Sequence, residues 1–192
     1  MVGLKNSITT ARLILRQWRQ SDLEPFAALN ADPRVREYFF PGVLGQHESD
    51  QEVVELSHHI DKYGWGFWAV SLSQTDEFIG CIGLDEIYFK RPFSPAIDIG
   101  WRLAYNHWGK GYATEGAMAA LRFGCDVLDL QEIVAYTAVQ NMRSRHVMEK
   151  IGMRHDPHGD FDHPDFPNDH KHKRHVLYRI GAGGANTEEG KI

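Results

Sequence analysis

The chain has 192 residues, 42% of them hydrophobic, and a formal net charge of −5. That length suits one domain with an ordinary core, and the negative balance gives no electrostatic basis for binding nucleic acid or an anionic membrane. No apolar run reaches the length of a membrane span and the opening MVGLKNSITTARLILR carries no secretory pattern, so a cytoplasmic protein is expected, with Cys81 and Cys125 as buried, reduced thiols.

Taken in chain order, Arg12–Arg16 reads as a short strand. Ser21 and Glu24 have the spacing of a capping box, Pro25 fits a first helical turn, and a short helix to Asn30 comes next. Asp32-Pro33 predicts a second helical piece, with Asp as cap and Pro at the first position, broken at Pro41-Gly42. From Glu48 to Tyr63, Val53, Leu56, Ile60 and Tyr63 recur at helical spacing, and Gly64 is the stop. The period then changes. Phe67–Leu72 and Phe78–Leu84 read as a hairpin around Ser73–Asp76, and residues from Ile87 to Pro95 read as a loop.

Ala96–Leu103 is a further strand. After it, in the stretch WRLAYNHWGKGYATEG, Gly109 and Gly111 bracket Lys110 and a helix opens near Ala113. A strand that passes through a glycine turn into a helix start is an anion site. Glycine lets backbone approach a ligand, and the first helical N–H groups lack internal partners and sit at the positive end of the dipole. A phosphorylated cofactor held mainly by backbone is therefore expected. The helix carries Ala117, Ala120, Leu121, Gly124 and Leu128 on one side, small enough for close packing on a sheet. Ile133–Val139 is a β-branched strand, Ser144–Ile151 a helix stopped by Gly152, His155–Lys173 an irregular loop, and His175–Ile180 a last strand. Gly181 onward reads as a mobile tail. These elements predict a mixed α/β (α+β) fold in a single domain over residues 9–180. Its sheet is largely antiparallel, followed by a strand–turn–helix–strand unit with parallel strands.

The stretch NHWGKGYATEG and the later NMRSRHVMEKIGM, in that order and spacing, resemble the GNAT superfamily of acyl-CoA N-acyltransferases. TARLILR, IDIGWRL and HVLYRI add a resemblance to its ribosomal-protein N-terminal acetyltransferase branch. The resemblance implies a mostly antiparallel seven-stranded sheet, splayed between its fourth and fifth strands, with helices on both faces and acetyl-CoA in the gap. By matching position, the diphosphate falls on the backbone of Trp108, Gly109, Lys110, Gly111, Tyr112 and Ala113. Pantetheine pairs with the end of the fourth strand near Trp101 and Leu103, and Asn141 bonds its arm. Trp108 stands where many members have Gln or Arg, a change that backbone contacts tolerate.

The implied reaction is attack of a neutral amine on the thioester, which needs a base, a polarised carbonyl and a proton for the thiolate. Many relatives supply that proton from a Tyr at the position of Met148, and methionine cannot donate. Ser144, one turn earlier, is the expected substitute, beside the cofactor; the alternative is that it only caps its helix. Asp98, where several relatives place a Glu, is the expected base, with a salt bridge to Arg102 as the alternative and Glu86 as a weaker candidate. His170-x-His172-x-x-His175 invites a metal reading, but the geometry is unsupported; no metal is expected and the loop is read as lying over the substrate mouth, where a histidine can still act as base. Phe39, Phe40, Trp65, Trp68, Tyr88 and Phe89 read mainly as core, near segments that line the acceptor groove in the family. Arg143, Arg145 and Lys150 are candidates for the cofactor's terminal phosphate. The expected partner is an amine acceptor, a small molecule or a protein N-terminus. A homodimer and a non-catalytic acyl-CoA-binding module are left open.

Overall fold

Leu13–Arg16 (β2) forms a strand because its leucines are wholly buried. It pairs antiparallel with the two-residue β1 (Ile8–Thr9) on one side and with β3 (Phe67–Leu72) on the other. A computed structural model describes residues 7–87 and 92–181, and its chain divides into two compact units. The first comprises the residues up to Leu84 together with Gly100–Ala119. There β3 pairs antiparallel with β4 (Phe78–Ile87), whose Ile79 carbonyl accepts from Ala104 N–H at 2.9 Å, just past the end of β5 (Ala96–Leu103).

α1 (Leu23–Asn30) and α2 (Gln46–Tyr63) complete this unit. The start of α1 is set by a buried ion pair, not by Ser21 and Glu24. Asp22 binds the Arg16 guanidinium through both oxygens, at 2.7 and 2.9 Å, and also accepts from Arg19 N–H. A buried arginine needs a closely bonded carboxylate, and Asp22 supplies it, with Asp76 a more distant second at 3.9 Å from its Nε. The expected helical piece after Asp32-Pro33 is a series of turns: the Asp32 carboxylate takes the Arg34 N–H and guanidinium instead of capping a helix.

The second unit comprises Asp85–Ile99 and the chain from Ala120 onward. β6 (Glu132–Ala138) runs parallel to β5 with one registered pair, Asp98 opposite Val134. On its other side β6 is zipped to β9 (Arg174–Gly181) along its whole length, from Glu132 opposite Gly181 to Ala138 opposite His175. Two-residue strands β7 (Arg154–His155) and β8 (Phe161–Asp162) also pair with β9. Among the described residues all six strands read from the sequence are present, and the three added ones are these short pieces and β1. The fold is a mixed α/β one with a mostly antiparallel open sheet.

α3 (Tyr112–Asp126) buries Ala117, Ala120 and Leu121, as its small-residue face requires. Gly116 brings its first half close to the sheet: a Cβ there would lie 2.4 Å from Ile82 Cδ1. α4 (Met142–Lys150) comes after β6. The polar segment 155–173 is turns apart from His155 of β7, a 3-10 turn at Pro157–Gly159 and β8, and it packs its rings inward. His163, His172 and His175 are buried, and the His163 and His175 rings lie 4.7 Å apart among Tyr136, Phe161 and Phe166. Aromatic partners from β6 and β8 pack against these rings.

A second buried charge ties α2 to β5. Arg102 donates to Glu52 and to Asn30 Oδ1, the latter at 2.8 Å, with the Phe26 ring 4.9 Å from its guanidinium carbon. Glu52→Gln leaves that guanidinium buried without a counter-charge. It is expected to lower unfolding free energy by about 2 kcal/mol, measured by urea denaturation at neutral pH.

Candidate functional site

In the first unit, β5 ends at Leu103 and the chain makes one short 3-10 turn, Tyr105–His107. Trp108 anchors the backbone beyond it. Its indole N–H donates to the Leu103 carbonyl at 2.7 Å, and its main-chain N–H donates to the Tyr105 carbonyl. Gly109 and Gly111 then adopt φ of 74° and 82°, the left-handed region that glycine enters without a Cβ penalty. Glu115 is the first residue of α3 whose N–H reaches back, to the Gly111 carbonyl at 3.0 Å. Among the described residues, the N–H groups of residues 109–114 have no protein acceptor. The free row thus begins one residue later than Trp108 and runs one residue past Ala113, into the first turn of α3. Beside Gly109 nothing lies within 4 Å of a built Cβ, so this backbone is open to a ligand. Successive free amides at a helix start bind an anion such as a diphosphate.

Sequence reasoning missed the side chains that hold this turn. The Arg12 guanidinium donates to Glu115 Oε2 at 2.6 Å and to the Lys110 carbonyl at 3.0 Å, and lies over the Tyr112 ring. Glu115 Oε1 also accepts from the Thr10 hydroxyl at 2.6 Å and from Arg12 N–H at 2.9 Å. These partners stand 98 to 105 residues apart in the chain, so no local pattern signals them. Burial pushes the Glu115 carboxyl up. The hydrogen bonds from Thr10 and Arg12, with the Arg12 charge, outweigh it and hold the group below the usual glutamate value.

In the second unit, Asn141 is the N-cap of α4. Its Oδ1 accepts from Ser144 N–H at 3.3 Å, and its Nδ2 donates to Thr137 Oγ1 at 2.9 Å and to Ser144 Oγ at 3.1 Å. Both amide protons are therefore engaged, and Asn141 has only an Oδ1 lone pair left to offer. Ser144 is not the cap. It accepts from Asn141, which leaves its own O–H as a donor. Met148, in the same helix, is buried and carries no proton to give. Asp98 is half-buried on β5, and Glu86 half-buried near the end of β4.

The remaining candidates sort by burial. Trp65 and Trp68 are core, Phe39 and Phe40 are largely exposed, and Tyr88 and Phe89 lie outside the described residues. Arg145 donates to the Val139 carbonyl and the Tyr178 hydroxyl, and Lys150 is exposed. Arg102 belongs to Glu52 and Asn30. His155 pairs with Asp160 at 2.9 Å. Among the described residues, no group of three or more His, Cys, Asp or Glu side chains is placed to hold a metal ion, and no helix is long and apolar enough to cross a membrane.

Residues 12–154 match the family model described as acetyltransferase (GNAT) domain. A Bacillus subtilis (strain 168) protein named uncharacterized N-acetyltransferase YnaD is 31% identical over 77% of this chain and 82% of its own. The spermidine N(1)-acetyltransferase of Vibrio cholerae is 30% identical over the same shares, 77% and 82%. Among solved structures, an acetyltransferase (GNAT family) from Bacillus anthracis superposes with a TM-score of 0.78 at 26% identity, covering 92% of this chain and 99% of that one.

A carboxyl lowered on folding stabilises fully above its unfolded value and loses that contribution as pH falls through its folded value. Wild type is thus expected to exceed Glu115→Gln in stability by about 1 kcal/mol at pH 7, a modest figure because Arg12 is half exposed to screening solvent. The gap should close only as pH falls below the ordinary glutamate range, as read from denaturation midpoints of both proteins across pH.

Proposed function

This chain belongs to the acetyltransferase (GNAT) domain family and is an N-acetyltransferase, and on that premise we propose that it transfers an acetyl group from acetyl-CoA to a primary amine by direct attack in a ternary complex. The row of N–H groups over residues 109–114 without a protein acceptor carries the reading. Acetyl-CoA supplies the activated acyl group as a thioester. The residues present fit it: backbone amides of Gly109, Lys110, Gly111, Tyr112 and Ala113 hold the diphosphate, with Trp108 bracing the turn from Leu103. Main-chain groups of Trp101 and Leu103 pair with pantetheine. Asn141 accepts an amide proton from its arm through the Oδ1 lone pair that Ser144 N–H leaves free.

Ser144 donates its hydroxyl proton to the departing thiolate, which leaves as the free thiol, and regains a proton from solvent. The Asn141 amide fixes the direction of that hydroxyl by donating into its oxygen, and donation into a hydroxyl strengthens the hydroxyl as a donor. Asp98 takes the proton from the attacking amine. The acceptor panel has two arms. The spermidine relative points to a polyamine, and the resemblance to the ribosomal-protein N-terminal acetyltransferase branch points to a protein N-terminus. Buried Met148 favours a second reading, an acyl-CoA-binding module without turnover.

Calorimetry with acetyl-CoA, then thiol release against polyamines and N-terminal peptides, separates these. Binding with release from one arm is expected. No binding overturns both readings, and binding with no release from any acceptor favours the module. Ser144→Ala is expected to lower kcat about 10- to 100-fold with little change in acetyl-CoA affinity. Asp98→Asn is expected to lower kcat at neutral pH and to recover as rising pH deprotonates the amine in solution. Both are read from the same thiol-release assay.

A further inference from the structure

Glu115 is an awkward residue for a diphosphate site. It lies in the first turn of α3, and its N–H closes that turn onto the Gly111 carbonyl. An ionised carboxylate there repels the anion that the free amides attract. Its side chain is 18% exposed, so water screens the charge little. The carboxylate is not free to swing away, because the Thr10 hydroxyl and the Arg12 main-chain N–H both hold Oε1.

The geometry points to Arg12 as a positioning residue of the acetyl-CoA site: its guanidinium neutralises Glu115 and ties the Lys110 carbonyl, so that a helix start carrying a carboxylate can still receive a diphosphate. This rests on the cofactor reading above. Three observations converge on it. The guanidinium spans from Glu115 Oε2 to the Lys110 carbonyl, bridging the helix and the turn before it. It lies over the Tyr112 ring, with its carbon 4.7 Å from the centroid, which fixes its plane. Its Nη2 stands 3.4 Å from where a Cβ of Gly111 would be, so positive charge sits against the turn that presents the free amides. Tying the Lys110 carbonyl also keeps that carbonyl dipole occupied beside an anion it would otherwise repel.

Arg12 matters to the cofactor only because Glu115 is there, and a double-mutant cycle reads that dependence. Acetyl-CoA affinity is measured by calorimetry for wild type, Arg12→Gln, Glu115→Gln, the double variant and Arg12→Lys, with thermal unfolding of each as a check on folding. Arg12→Gln removes the charge while the Thr10 and main-chain bonds keep Glu115 in place. It is expected to weaken binding about tenfold. In the Glu115→Gln background the same change should cost less than about threefold, and Arg12→Lys should stay within about threefold of wild type. Added salt should shrink the Arg12→Gln deficit, as screening of a charge effect requires. Arg12→Gln binding as well as wild type, an equal loss in both backgrounds, or Arg12→Lys as weak as Arg12→Gln overturns the proposal. A wild type that fails to bind acetyl-CoA overturns the cofactor reading itself and is seen before any variant is compared.

Discussion

Unpaired main-chain amides are the constraint on which the rest of this molecule turns. A helix leaves its first N–H groups without partners, and a structure usually satisfies them with a cap, as Asn141 does for α4. At α3 the reverse arrangement holds. The side chains around the turn brace its carbonyls and its carboxylate, while the N–H groups over residues 109–114 are left without a protein acceptor. Trp108 pins the incoming chain to β5, Arg12 pins Lys110 and Glu115, and the Gly116 contact seats the helix on β4. Positive φ at Gly109 and Gly111 turns the intervening backbone between these anchors. Leaving donors unpaired costs free energy that a bound anion returns.

The two helix starts differ in what they leave unpaired. α3 presents free donors and suits charge. α4 presents a cap whose donors are spent, and so offers one acceptor at Asn141 and one proton at Ser144. Thr137 holds one proton of the Asn141 amide, which fixes Nδ2 as the atom that donates into the Ser144 hydroxyl and Oδ1 as the one that caps the helix. Met148 fills a buried position in the same helix and contributes packing, not protons.

How much of this was legible in the sequence depended on how local each cause is. The strands, the α2 helix up to Gly64 and the glycine turn were legible, because alternation, helical period and two glycines around Lys110 act over a few residues. The start of α1 was not. Ser21 and Glu24 have the right spacing, but the buried Arg16 recruits Asp22, and a tertiary charge outweighs a local motif. Asp32 failed as a cap for a local reason: Arg34, two residues on, takes its carboxylate. The packing of the histidine-rich segment was not legible, since His163 and His175 meet Tyr136 of β6, a partner that no window around His163 includes. Of the site, the loop could be read and its bracing could not, because Arg12 and Glu115 are 103 residues apart.

Amide hydrogen exchange at residues 109–114, with and without acetyl-CoA, tests the central claim most directly. Free protein should show these amides exchanging fast, since none has a protein acceptor. Saturating acetyl-CoA should slow them by at least about tenfold as a block, while amides elsewhere on the surface of the first unit change little. Acetyl-CoA that binds and leaves the exchange of this row unchanged would contradict the account.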